Sequence, residues 1–187
     1  IPAGVILYIT DEKGIAKNRP VNLAVGFVVN VLRSVPFLIL LVALLPFTRA
    51  IVGTTIGSSA TVVPLVVAAA PFVARMVESS LKEVDPGVIE AAKAMGSSNM
   101  QIITRVILPE AKPSLTVGCT IALATILGYS AMAGFVGGGG LGAIAVNYGY
   151  YRYKTDVMFV TVAILVIIVQ IFQEVGIRLA NKIDKRK

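Results

Sequence analysis

Gly137, Gly139 and Gly142, within the stretch GFVGGGGLGA (134–143), stand in the spacing G-x-G-x-x-G. In many enzymes that spacing turns a strand into a helix whose amides hold a pyrophosphate. The chemistry needs a strand before the glycines and a helix N-terminus after them, so the spacing alone decides nothing. Other reactive residue types are few. Histidine is absent, which removes histidine-ligated metal centres and imidazole acid–base chemistry. The one cysteine, Cys119, lies in an apolar run without a second thiol and reads as a small core residue. No G-x-x-x-x-G-K-[ST] segment occurs, and no set of acids, bases and nucleophiles gathers at one point of the chain. The sequence therefore offers no catalytic residue, no metal ligand set and no cofactor site.

Composition sets the surroundings of these residues. The chain is 56% hydrophobic and 14% charged, with mean hydropathy +0.84. Soluble domains carry about 25% charged residues, and a water-exposed fold of this composition would leave large apolar patches uncovered. The chain reads as an all-α integral membrane protein, with a lipid bilayer as its solvent. A span needs roughly 20 apolar residues of helix. Residues 1–9, IPAGVILYI, would rise only ~14 Å at about 1.5 Å per residue. Together with an initial Ile in place of Met, this reads as the end of a truncated first span. A basic leader and a small-residue cleavage site are lacking, so it does not read as a signal peptide.

Arg33 and Pro36 divide the next apolar region. A charge at mid-bilayer costs about 2.5–3.5 kcal/mol on insertion scales, which places Arg33 at an interface. Residues 21–32 then form an amphipathic segment near the membrane, and a span runs from Pro36 to beyond Phe47. Further spans are expected over 56–77, bent at Pro64 and Pro71, over 114–136, and over 157–177. The expectation is a polytopic helical bundle of about five transmembrane helices, the first one truncated. Segments 10–34, 75–113 and the tail from 178 hold fourteen of the 17 Lys and Arg residues. The positive-inside rule makes those segments cytoplasmic, and it explains the +7 charge without a nucleic-acid partner. The glycine run then lies on the opposite side, where nucleotides are scarce, and no strand is expected before it. Turn formation and close backbone approach are the better reading of these glycines.

The cytoplasmic stretch 78–113 is organised. Asp85-Pro86 reads as an N-cap with proline at the first helical position. The helix through VIEAAKAM stops at Gly96, a common C-terminal breaker. Ser98 with Gln101 reads as a capping box for a second helix, QIITRVIL, expected to end before Pro109. Val88, Ile89, Ala92 and Met95 make an apolar stripe. It must be buried against its own domain, the membrane surface or a partner. Arg75 with Glu78, and Glu174 with Arg178, have the spacing of ion pairs near helix ends.

Glu90-Ala91-Ala92, Gly96, Val106 and Leu108-Pro109 follow the pattern E-A-A-x3-G-x9-I-x-L-P, departing only where Val106 replaces Ile. In this the chain resembles the EAA-loop permeases of ABC importers. The resemblance extends through RSVPFLILL before the loop and GYSAMAGFVGGGGLG after it. Within the family the chain is most similar to the membrane subunits of methionine importers. The resemblance implies one permease transmembrane domain over 1–187, with the coupling loop at 78–113, in a bacterial inner membrane. It implies a homodimer, two cytoplasmic ATPase subunits that bind the ATP, and an extracytoplasmic substrate-binding protein. The chain itself is then a transport subunit and not an enzyme. By the same resemblance, Ala91 and Ala92 allow close approach to a groove on the ATPase, and Gly96 allows the turn that sets the helix angle. Glu90 makes a polar contact at the groove edge or supports the loop. Tyr129, Ser130 and Met132 are candidates for the translocation path or gate, with ordinary helix packing as the alternative for each. Two rival functions are an ion-coupled secondary transporter and a permease for another small amino acid or related solute. Against the first, no expected span has a carboxylate near its middle.

Overall fold

The computed structural model describes residues 1–184. Lys185, Arg186 and Lys187, which count among the fourteen basic residues of the cytoplasmic set, lie outside the described residues, as does the side chain of Phe135. Among the described residues every regular element is helical, with no strand. In order these are α1 (Pro2–Thr10), α2 (Arg19–Ser34), α3 (Phe37–Ala43), α4 (Leu45–Val52), α5 (Ser58–Lys82), α6 (Pro86–Ala94), α7 (Asn99–Gln101), α8 (Leu108–Glu110), α9 (Lys112–Met132), α10 (Gly140–Ile144) and α11 (Thr155–Ile183). A π-helical turn, Ile102–Ile107, joins α7 to α8; a second, Ala145–Tyr150, follows α10; and a 3-10 turn, Ala133–Val136, follows α9.

Among the described residues three single helices, α5, α9 and α11, are long and apolar enough to cross a membrane. Phe159, Val160, Ile164, Ile167, Ile171 and Phe172 of α11 are all exposed, a stripe that water would not tolerate and lipid or another membrane helix would. The span expected from Pro36 onward is not one rod. Residues 37–52 form two short helices, α3 and α4, with the break at Leu44. Pro46 lacks the N–H that the Val42 carbonyl would need, and its ring crowds the preceding turn. Pro36 acts likewise at the end of α2. It disfavours helical geometry at Val35, and α2 ends at Ser34, with α3 starting afresh at Phe37. By contrast, α5 is continuous through Pro64 and Pro71.

The residues fall into two compact units, each described by itself. The first holds Ile1–Val31, Pro71–Ala122 and the chain from Val175. Here Leu7 of α1, Val29 of α2 and Ala74 of α5 form a buried cluster. Asn22 of α2 donates to the Leu7 carbonyl at 2.7 Å and to Thr10 Oγ1 at 3.1 Å. The second unit holds Leu32–Ala70 and Leu123–Glu174. In it the glycine run folds α10 back on the end of α9. A Cβ on Gly134 would stand 2.6 Å from the Ala143 nitrogen, and one on Gly142 would strike the Ala131 backbone. At Gly142, the third glycine of the spacing, the chain's own backbone fills the space, and a 3-10 turn, not a strand, precedes Gly137.

Candidate functional site

The loop between α5 and α9 is built as expected at its caps. Asp85 accepts a hydrogen bond from the Gly87 N–H at 2.7 Å, and Pro86 occupies the first turn of α6. At the other end Gly96 has φ +77°. Its N–H donates to the Lys93 carbonyl at 2.9 Å, and that of Ser97 to the Ala92 carbonyl at 3.1 Å. This paired closure satisfies carbonyls that a helix end leaves free, and it needs a left-handed residue that glycine supplies without strain. Ser98 and Gln101 form the reciprocal box, with N–H donors to Gln101 Oε1 at 2.8 Å and to Ser98 Oγ at 3.4 Å.

The second helical stretch does not end before Pro109. It passes through the π-helical turn Ile102–Ile107 into α8, where Pro109 sits in the first turn, and the Ala111 N–H donates to the Ile107 carbonyl at 2.9 Å. Starting a new helical piece lets proline occupy a position whose N–H has no partner to lose.

The loop has its own core. Ile89 and Ala92 of α6 pack with Val77 and Leu81 of α5, Val84, Ile102, Ile107 and Ala111. The apolar stripe on α6 is thereby split. Ile89 and Ala92 face inward, Ala92 being only 2% exposed, while Val88 is exposed and Met95 is 78% exposed. Leu108 is half-buried against the same core. Glu90, Ala91 and Pro109 are exposed, so the outward face of α6 carries Glu90, Ala91 and Met95.

Below this core lies a charged node that the sequence shows only in part. Arg75 and Glu78 pair at 2.6 Å, as their spacing suggests. Lys82 joins them, bridging Glu78 at 2.8 Å and Asp11, in the chain after α1, also at 2.8 Å. Arg75 further donates to Asn30 Oδ1 at 2.8 Å. The hydrogen bond from Lys82, seconded by the Glu12 N–H, holds the Asp11 carboxyl below the usual carboxylate range. Nothing local in the sequence links Asp11 to Lys82.

In the second unit, Tyr129 stacks on Phe37 with ring centroids 4.7 Å apart and planes 10° from parallel. The Ser130 hydroxyl donates to the Leu127 carbonyl of its own helix at 2.7 Å. Met132, the last residue of α9, is 45% exposed. Tyr129 and Ser130 thus have partners of their own, and Met132 is the member of the trio that presents a large apolar side chain outward.

Long apolar helices and a structured, capped loop with its own core define a polytopic helical membrane protein. The chain belongs to the family of binding-protein-dependent transport system inner membrane components, which it matches over residues 1–186. It is 53% identical, over 100% of its length and 83% of the relative's, to a probable D-methionine transport system permease protein MetI of Vibrio cholerae. It is 45% identical, over 97% of its length and 82% of the relative's, to a methionine import system permease protein MetP of Bacillus subtilis. Its fold matches a chain in a solved inward-facing structure of the MetNI methionine ABC transporter, with TM-score 0.96 and 50% identity, covering 98% of this chain and 85% of that one.

Proposed function

We propose that this chain is the membrane-spanning subunit of an ATP-driven ABC importer for methionine. It would act as a homodimer with two cytoplasmic ATPase subunits and an extracytoplasmic substrate-binding protein. The observation that carries the coupling mechanism is the division of α6 into two faces. One face, through Ile89 and Ala92, is locked to α5, and the other presents Glu90, Ala91 and Met95 to a partner. A helix so fixed transmits displacement of that partner to the membrane helices as rigid-body motion. Gly96 shapes the turn out of α6, and Pro109 the return of the loop toward α9. Glu90 lies on the open face and serves as a contact to the ATPase. ATP is bound by that partner, so this chain needs no cofactor of its own. The loop and the end of α11 from Arg178 would face the cytoplasm, in keeping with their basic residues.

Methionine as substrate rests on the names of relatives similar over nearly the whole chain. An ion-coupled carrier finds little support, since Glu78 lies near the end of α5 between two cations. Met132, with Tyr129 behind it, borders the translocation path where two copies meet. Copurification tests the reading. The partner ATPase should remain bound to the wild-type permease in detergent and be lost from Ala91→Trp, while the permease itself still inserts and dimerises. Full retention of the ATPase by Ala91→Trp would contradict docking through α6.

A further inference from the structure

The polar contacts of the first unit close a ring around three helices. Asp11, after α1, is held by Lys82 of α5; Arg75 of α5 is held by Asn30 of α2; and Asn22 of α2 returns to the Leu7 carbonyl of α1. Glu78 sits inside the ring between Arg75 and Lys82, its side chain 7% exposed. A carboxylate so desolvated is tolerable only while both cations stay in place. The ring therefore resists partial opening. Lys82 is the joint that links it to the loop. Its neighbours Leu81 and Val84 are buried in one cluster with Ile89 and Ala92, and Asp85, three residues on, caps α6. A displacement of α6 cannot bypass this joint without breaking either the apolar cluster or the ring.

We infer that this ring, whose charged arc is Asp11–Lys82–Glu78–Arg75 and which Asn30 and Asn22 close, is a positioning device that ties the coupling helix to α1 and α2, with Lys82 as its central residue. This rests on the permease reading above. Force delivered to α6 then moves α1, α2 and the stem of α5 together, whereas in a cut ring α6 and its stem yield locally while the other helices stay behind. The alternative is that these pairs merely solubilise helix ends, in which case their loss changes neither the loop's mobility nor coupling. A hydrophobic replacement at Lys82 leaves Glu78 with one partner and risks the fold. Asp11→Asn is gentler, since Glu78 keeps both cations, and Lys82→Arg preserves charge and reach.

The test uses the full complex of permease, ATPase and binding protein in proteoliposomes, with two readouts. Hydrogen–deuterium exchange over 84–96 should quicken about tenfold in Asp11→Asn and in Lys82→Met, and stay within about twofold of wild type in Lys82→Arg, an exchange ratio being a direct measure of local opening. In the same samples, substrate imported per ATP hydrolysed should fall several-fold in Asp11→Asn and Lys82→Met and hold in Lys82→Arg. A ratio is unaffected by how much complex assembles, so a simple folding loss does not imitate it. Unchanged exchange in both Asp11→Asn and Lys82→Met, or a Lys82→Arg as mobile as Lys82→Met, overturns the ring. So does quickened exchange with an undiminished ratio. A wild-type complex that fails to import with ATP instead refutes the transport reading, and the exchange readout still judges the ring.

Discussion

Ala91 and Ala92 are adjacent, identical in chemistry and opposite in fate. Ala92 is sealed in the loop's core and Ala91 stands on the open face. Ala92→Trp must force several side chains off their rotamers, which costs about 1–3 kcal/mol or more. Its loss of transport should therefore come with reduced yield and protease resistance. Ala91→Trp meets open space, so its loss of transport should come with normal yield. Measuring both quantities for both variants separates packing from docking. The sequence announces a helix of small residues but not which alanine turns inward, because the stripe Val88, Ile89, Ala92 and Met95 straddles both faces. Only the seating of Ile89 and Ala92 against Val77 and Leu81 resolves it. Met132 poses a similar problem of facing. In a two-fold assembly a residue on the axis meets its own copy, and a pair of flexible thioethers can close a path without a strong polar bond. Met132→Cys in a Cys119→Ala background should form a disulfide-linked dimer under copper oxidation, in an amount that changes with nucleotide state. Absence of the crosslink in every state, with crosslinking at Ala131→Cys, would count against the axial position.

At the scale of elements, the features with local causes were legible. The Asp85 cap, the Gly96 stop and the Ser98–Gln101 box all appear where residue type and spacing put them, because a cap is settled within four residues. Asp85→Ala removes the bond to the Gly87 N–H and should cost about 0.5–2 kcal/mol of local stability. Faster hydrogen exchange at the start of α6 reads this, with Asp85→Asn close to wild type. The breaks were less legible. Pro109 looks like a helix stop, yet the chain restarts there as a new helical piece, and Pro46 divides the expected span into α3 and α4. Proline fixes where a donor is missing but not whether the chain turns aside or resumes; the neighbours it packs against decide that. The bridge from Asp11 to Lys82 and the Phe37–Tyr129 stack left no trace in the sequence, since contacts between distant segments carry no periodicity.

For the whole molecule, hydropathy alone reveals the all-helical membrane architecture, because in lipid every backbone group must be satisfied within a helix or a closed barrel. Orientation adds a second test. Fourteen of the 17 basic residues lie in segments of one side. Cysteine at Asn147 should accordingly be labelled by an impermeant maleimide from outside, and cysteine at Ser97 only after permeabilisation. The reverse pattern would invert the topology and remove the coupling loop from the ATPase's side. As the permease subunit of a methionine importer, this chain should pass methionine inward under the control of ATP. The most direct measurement is uptake of labelled methionine into proteoliposomes holding the chain with its ATPase, supplied with its binding protein on the outside and ATP within. Uptake should require both additions, persist when proton and sodium gradients are collapsed, and disappear in Ala91→Trp. Uptake that follows an ion gradient without ATP, or that survives intact in Ala91→Trp, would contradict the account.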